Sequence, residues 1–217
     1  MMAAFPEAVL LAAWEAALGF AGVRRALALA VAGGAEPASV ADLALGRRDE
    51  FLLALRERCF GTTYPCLVTC PACGEDLELE LTGDDLRASG GTATTAGYEV
   101  RPVTSRDLLE VRTRRELLAR CVVSAPSPEG EVPAVALSTC DPQADVRIDL
   151  DCASCGHRWT SPFDIARYLW TELETHARRL LYDVHALATA YGWAEADVLA
   201  VSPARRRYYL ELAGKTA

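Results

Sequence analysis

The sequence predicts an α+β protein that is mainly helical and is interrupted by two short cysteine-bearing β-hairpins. Two observations lead to this prediction. Two C-x-x-C-G knuckles, 70–74 and 152–156, each stand between short segments of β-strand character. Near the carboxyl end, apolar residues recur every three or four positions over a long stretch, which is the pattern of a helix with one buried face.

The four knuckle cysteines are the ligand set of a closed tetrahedral zinc site: Cys70, Cys73, Cys152 and Cys155. The spacing lets one tight turn aim two sulfurs at one ion, and the glycine that follows each pair can take a positive φ. We therefore predict one structural Zn²⁺ per chain, in a split zinc ribbon formed by residues 62–83 and 146–161. Redox or disulfide use of the pairs is the alternative, because thioredoxin-like motifs share this spacing.

Other residues near the knuckles are weaker candidates for the metal. His157 lies two residues after Cys155 and could compete for the ion, although a surface position on the ribbon is the simpler prediction. Cys66 could substitute as a ligand, but its place in a strand favours a half-buried side chain. Cys59, Cys121 and Cys140 have no partner at metal spacing and are predicted to be small buried apolar residues of a reduced, cytosolic protein.

Residues 1–61 predict an N-terminal helical region. Residues 6–32 are rich in Ala and Leu, and Gly19 and Gly22 mark a break between two helices. A further amphipathic helix is predicted over 48–60.

Residues 84–145 form the insert between the two halves of the ribbon. We predict a strand over 98–103 and one continuous helix over 105–122. Two stretches rich in small residues or proline, 88–96 and 125–133, predict loops, the first of them mobile.

Residues 162–217 predict a C-terminal helical region. The Ser-Pro-Phe-Asp sequence at Ser161 is interpreted as a capping box that starts a long helix, and Gly192 ends it. A short turn follows, and a second Ser-Pro pair at Ser202 opens a last helix. The apolar stripe is too long for a small ribbon to cover, so either the N-terminal helices or a partner protein must pack on it. Its members are Ile165, Leu169, Leu173, Ala177, Leu180, Val184, Leu187 and Tyr191.

The charge of the chain argues against nucleic acid as a partner. The formal net charge is −8, and carboxylates flank both knuckles, where they would repel a phosphate backbone. Arginines at 112–120 and 205–207 nevertheless leave a zinc-ribbon nucleic-acid-binding regulator open as the alternative function. The simpler interpretation of both arginine runs is a solvated helix face or a favourable interaction with the helix dipole.

The sequence also predicts location and catalytic status. The apolar stretches near the start are broken by Arg24 and Arg25 and are too short to span a bilayer, and no signal peptide is recognisable. We expect a cytoplasmic protein without membrane insertion. We find no metalloprotease, P-loop or nucleophile-elbow motif, so no catalytic residue and no small-molecule substrate are predicted. An enzyme that uses His157, His176 or His185 as a base is a further alternative.

Three stretches together resemble a known family. They are 45–61, the second knuckle with its long helix, and 191–210, of which the Tyr-Gly-Trp and Ser-Pro-Ala-Arg-Arg sequences are the most distinctive. The chain from about residue 43 onward resembles the baseplate hub assembly chaperones of T-even-like phages. It is more similar to zinc-ribbon relatives in gene clusters for phage-tail-like contractile injection systems.

The resemblance implies a non-enzymatic assembly factor or structural component of the baseplate hub. It further implies protein–protein contacts with baseplate, hub or spike proteins of a contractile tail-like particle, into which the chain could be incorporated. The knuckles are a departure from the phage chaperones, so the detailed mechanism does not transfer.

Overall fold

A long helix near the carboxyl end organises the fold. The computed structural model describes residues 7–88, 90–95, 97–125 and 134–214. It is mainly helical with small antiparallel sheets, which confirms the predicted α+β class.

The elements have the following bounds. The helices are α1 (Glu7–Leu18), α2 (Gly22–Ala32), α3 (Leu45–Phe60), α4 (Ser105–Glu110), α5 (Arg114–Cys121), α6 (Ala134–Cys140), α7 (Ile165–Tyr191), α8 (Glu195–Ala200) and α9 (Pro203–Leu212), with short 3₁₀ turns at Val40–Asp42 and Pro142–Asp145. The strands are β1 (Thr63–Thr69), β2 (Asp76–Thr82), β3 (Thr94–Thr95), β4 (Tyr98–Val100), β5 (Val122–Ser124), β6 (Arg147–Asp151) and β7 (Arg158–Pro162).

The N-terminal helices follow the prediction closely. The break between α1 and α2 falls at Gly19–Ala21, and Gly22 has φ +53°. Helix α3 begins three residues earlier than expected, because the backbone N–H of Leu45 donates to Val103 O of the insert at 2.9 Å and so fixes its first turn. Gly61, with φ +88°, ends α3.

The apolar stripe of α7 is buried within the chain itself. Helices α1, α2 and α3 pack on its first half, down to Leu180. Helices α8 and α9 pack on the second half around Val184 and Leu187. Tyr191 is the exception at 40% exposed. Of the two predicted ways to cover the stripe, the chain therefore uses its own helices.

The predicted start of α7 is wrong. Ser161 and Pro162 belong to the end of β7, where Pro162 pairs with Arg147. The terminal position of a ladder tolerates a residue without an N–H. Asp164 caps the helix instead, and its carboxylate accepts a hydrogen bond from Arg167 N at 3.0 Å.

The predicted helix over 105–122 is also wrong in one respect, because it is two helices. Val111 is extended (φ −94°, ψ 154°), and the Thr113 hydroxyl caps α5 by accepting from Glu116 N at 3.2 Å. The carboxylate of Glu116 accepts from Arg112 N at 2.8 Å. Local side-chain bonds thus outcompete continuation of the helix at this point.

The remainder of the insert forms a small layer of its own. The predicted strand over 98–103 ends at Val100, and it lies between two unpredicted short strands, β3 and β5. Helix α6, also unpredicted, packs on this sheet through Ala136. Residues 126–133 of the predicted loop, and residues 89 and 96 of the earlier one, lie outside the described residues.

Polar contacts join the insert to the start of α3. Asp141 accepts a hydrogen bond from Gly46 N at 2.8 Å, at the start of α3. Within the insert, Gln143 accepts from Ala88 N at 2.8 Å and donates to Leu86 O at 3.0 Å, which fixes the position of its side chain beside Gly46. Gly46 is required here, since a Cβ at this position would lie 2.1 Å from the Asp141 carboxylate.

The C-terminal end agrees with the prediction and refines it. Gly192 ends α7 in the left-handed region (φ +69°). The expected turn after it is the short helix α8. Ser202 caps α9 by accepting from Arg205 N at 3.5 Å, with Pro203 at the first helical position. In the described part of the chain, no helix combines the length and apolar character needed to cross a membrane.

Candidate metal centre

The two knuckles fold into the same local structure. In the first, Cys70 N donates to Glu75 O at 2.8 Å and Gly74 N donates to Cys70 O at 2.9 Å. The second repeats both bonds at the same spacing, from Cys152 N to His157 O at 2.9 Å and from Gly156 N to Cys152 O at 2.8 Å. The two glycines have φ +77° and +71°, a region that other residues rarely enter, so each turn requires the glycine.

The folded chain brings all four predicted ligands together. The four thiol sulfurs all lie within 4.8 Å of one another; they belong to Cys70, Cys73, Cys152 and Cys155. The closest pairs run between knuckles: Cys70 Sγ to Cys155 Sγ is 3.8 Å, and Cys73 Sγ to Cys152 Sγ is 3.7 Å. The cluster could therefore hold a metal ion that joins the two hairpins.

The electrostatics of the site favour thiolate formation at one ligand. Burial of Cys70 opposes ionisation, but the backbone N–H groups of Cys73 and Ala72 and the neighbouring thiols outweigh it, and the pKa of Cys70 is lowered to about 7.

Cys70 and Cys152 are buried, while Cys73 and Cys155 are exposed at the tip. A metal ion can thus reach the site from solvent.

The residues considered as substitute ligands lie elsewhere. His157 is exposed and stacks on Trp159, with ring centroids 5.8 Å apart. Cys66 is half-buried in β1, and its thiol faces Tyr64 O at 3.6 Å. Cys121 is buried, and Cys59 and Cys140 are half-buried. Burial raises the pKa of the Cys59 thiol to about 11, so it is a poor nucleophile.

The three histidines do not converge. His176 packs edge-on against Phe60, with ring centroids 5.8 Å apart, at the rim of the core. His185 is exposed farther along the same helix.

A buried arginine that sequence reasoning missed holds the ribbon against the helices. Arg56 is 1% exposed, and its Nε and Nη2 both donate to the Glu172 carboxylate of α7 at 2.9 Å. Its Nη1 donates to Gly61 O at 2.6 Å and to Thr63 O at 2.5 Å, just before and at the start of β1. Its guanidinium carbon also lies 4.0 Å from the ring centroid of Tyr64. One side chain thus joins α3, α7 and the first hairpin.

The second hairpin has its own contacts with α7. Phe163, just after β7, packs against Tyr168 with ring centroids 5.3 Å apart. The Tyr168 hydroxyl donates to Pro65 O in β1 at 2.9 Å. Both hairpins are therefore positioned by the first turns of α7, which places the four sulfurs relative to the helical body.

Internal ion pairs engage one arginine in each of the two predicted basic runs, 112–120 and 205–207. Arg120 donates to Asp107 at 2.6 Å and also contacts Glu110. Arg206 is 2% exposed and pairs with Glu7 at 2.5 Å. Arg206 lies four residues before the buried Leu210 and so on the same face of α9, which was the available signal for its burial. A charged residue is rarely fully buried, so the sequence alone did not predict this position.

The comparisons with known proteins add no relative. No family model, curated protein or solved structure gives a significant match to the chain.

Proposed function

We propose that the four-cysteine cluster binds one structural Zn²⁺. Tetrahedral zinc with Zn–S bonds of about 2.3 Å requires neighbouring sulfurs about 3.8 Å apart. The 3.7 and 3.8 Å separations between knuckles match that requirement. Four thiolates fill the coordination shell, which is typical of a structural site rather than a catalytic one.

We further propose that the zinc-bound protein is a non-enzymatic assembly factor or structural component of the baseplate hub of a phage-tail-like contractile injection system. Its partners are hub or spike proteins, as the sequence resemblance implies. The observation that supports this role best is the surface formed by the most distinctive segment of that resemblance, residues 191–210.

That segment folds into a cluster of aromatic rings beside exposed apolar residues. Trp193 lies between Tyr191 and Tyr209, with ring centroids 5.2 and 5.0 Å away. On the neighbouring surface of α9, Tyr208 is 61% exposed and Leu212 is 78% exposed. Rigid aromatic surface with exposed tyrosine is typical of protein–protein contacts.

The alternative of a nucleic-acid-binding regulator has less support after folding. Arg206 and Arg120 are engaged with internal carboxylates, which removes them from the two basic runs. Carboxylates also remain exposed beside the knuckles, among them Asp76 and Asp149. An acidic ribbon disfavours phosphate contacts.

Co-purification tests the proposed function directly. The zinc-loaded protein is co-expressed with candidate baseplate hub and spike proteins, and the mixture is separated by size-exclusion chromatography. We expect a complex of fixed stoichiometry with at least one of them. Tyr208→Ala should weaken that complex, whereas Leu67→Ala, at a residue on β1 that is 66% exposed, should leave it intact.

Two results would contradict the proposal. If the zinc-loaded protein elutes alone beside every hub and spike protein, the assembly role fails. If the chain instead binds duplex DNA at low salt and loses this affinity steeply as salt rises, the regulator is the better assignment.

A further inference from the structure

A groove beside the middle of α7 has the features of a binding site. It has a volume of about 420 Å³ and lies between α7, the amino-terminal end of α9 and the first residue of α1. Small-molecule and peptide sites commonly have volumes of about 300–1,000 Å³. Its walls combine cationic and apolar side chains, which together define the chemistry of a ligand.

The most unusual group of the groove is the buried guanidinium of Arg206. Its Nη2 donates to Glu7 at 2.5 Å, and its Nε lies 3.6 Å from the Asp183 carboxylate. Its Nη1 has no hydrogen-bond partner among the residues that the structure describes. An arginine nitrogen that is buried and unpaired is costly, so an acceptor at this place would be stabilising.

Two further arginines stand at the rim of the groove. Arg179 on α7 and Arg207 on α9 are both exposed, and the nearest carboxylate to Arg207 is that of Glu211, 3.9 Å away. The amino terminus of α9, at Pro203, adds the positive end of a helix dipole. Glu7, Asp183 and Glu211 thus balance the three arginines, and the helix terminus together with the Arg206 Nη1, unpaired within the described residues, provides the remaining attraction for an acceptor.

The rest of the lining indicates that the anion is part of a larger molecule. Pro203 and Ala204, both exposed, line the groove beside the arginines, above the buried Leu180 and Leu210. A free inorganic ion would gain nothing from these apolar walls, whereas a peptide carboxylate could place its neighbouring side chain against them. A dianion such as phosphate would also lie close to Asp183 and Glu7, which repel it.

We propose that this groove binds a carboxylate side chain together with an adjacent apolar residue of an acidic protein segment. The inference deepens the proposed function, and it depends on that function only in taking the ligand from a protein partner. The rim arginines pair with the carboxylate, and the exposed Pro203 and Ala204 contact the apolar neighbour.

A matched pair of small probes tests the groove with the zinc-loaded full chain. The probe is N-acetyl-leucyl-glutamate α-amide, and its uncharged isostere is N-acetyl-leucyl-glutamine α-amide. Titration is followed by NMR of the backbone amides and the arginine Nε–H groups. We expect saturable binding with a dissociation constant on the order of 1 mM, with shifts at Arg179, Arg206 and Arg207.

Substitutions at the rim separate this site from a general attraction to positive charge. Arg207→Gln and Arg179→Gln should each weaken binding of the glutamate probe by about tenfold, since each removes one charged hydrogen-bond donor. Arg205→Gln is the matched control: it removes the same charge from an exposed neighbour that does not line the groove. It should change the affinity by less than about twofold. These rim positions keep Arg206 and the fold intact.

Several outcomes would overturn the inference. They are equal affinity for the glutamine isostere, equal loss on Arg205→Gln, no saturable binding by the unaltered protein, or groove shifts caused by inorganic phosphate but not by the peptide. If Arg207→Gln abolishes probe binding but the complex with hub or spike proteins forms normally, the groove is not used by that partner. The proposed function then stands without it.

Discussion

Gly46 shows how a single backbone position determines the contact between the insert and the helical body. Its N–H donates to Asp141, and a Cβ would lie 2.1 Å from that carboxylate and 2.7 Å from Gln143 Cβ. Gln143 is held in place by two hydrogen bonds of its own, and Asp141 by its bond to Gly46 N, so neither can move without breaking one. The absence of a side chain is therefore part of the interface.

Gly46→Ala is expected to destabilise the protein by about 1–3 kcal/mol, the usual cost of overpacking a well-packed site. Helix propensity alone predicts the opposite sign, because alanine is favoured over glycine within a helix by about 1 kcal/mol. Urea unfolding of the zinc-loaded protein measures the difference. Gly19→Ala is the control, since a Cβ there would meet nothing within 4 Å, and it should be close to neutral. A neutral or stabilising Gly46→Ala would show that the insert can shift away from α3.

At the scale of elements, helix α4 is held by one buried carboxylate. Asp107 is 2% exposed and completes a capping box with Thr104. It also accepts hydrogen bonds from Arg101 at 2.7 and 2.8 Å and from Arg120 at 2.6 Å. It thus ties α4 to the end of β4 and to α5. These hydrogen bonds hold the pKa of Asp107 well below its usual range, and the largest contribution comes from Arg101.

Asp107→Asn should lower the free energy of unfolding by about 2 kcal/mol at pH 7, the cost of losing charge-assisted hydrogen bonds. A lowered folded-state pKa means that this contribution is complete above the ordinary carboxyl pKa of about 4 and is lost as the pH falls toward the folded-state value. The difference between the unaltered protein and the variant should therefore shrink from pH 7 to pH 3. Asp42→Asn, which removes an exposed pair with Arg106, should have a smaller effect. A difference that is constant with pH would contradict this account.

Elements with their own local signals could be predicted from the sequence. Both hairpins, the break at Gly19–Gly22 and the end of α7 at Gly192 depend on glycine or on strong periodicity, and each lies where it was predicted. The start of α7 was predicted wrongly because Ser161 and Asp164 can both cap a helix. Ser161 is held in β7 by pairing with β6, which is a non-local contact, so Asp164 caps the helix.

The candidate site shows the same division between local and non-local information. The spacing of the cysteines was enough to predict that four sulfurs meet. It gave no indication of Arg56, whose partners Glu172 and Tyr64 are brought to it by packing of α7 and β1. The split of the helix over 105–122 was available in principle, because Thr113 and Glu116 have the spacing of a capping box.

At the scale of the whole molecule, the four-cysteine cluster brings together two hairpins that are distant in sequence. Structural zinc can contribute on the order of 10 kcal/mol of binding energy to folding. Typical net stability is only about 5–15 kcal/mol. Removal of the proposed zinc ion should therefore unfold the ribbon and strongly destabilise the protein.

We expect elemental analysis of the purified protein to give one zinc per chain. Cys73→Ser or Cys155→Ser should abolish stoichiometric zinc and cause gross loss of the cooperative unfolding transition in circular dichroism. Cys66→Ser provides the control, since this thiol lies four residues from the first ligand but outside the cluster. It should retain one zinc. Half occupancy after loss of either knuckle would instead indicate two independent sites.

The distance in sequence between the two knuckles has a consequence for synthesis on the ribosome. Cys152 and Cys155 are made roughly 4–16 s after the first pair of thiols at ordinary rates of translation. During this interval the nascent chain holds only half of a coordination shell. Capture of the proposed ion by all four thiols therefore has to wait for the second knuckle, so the two hairpins are joined only late in synthesis.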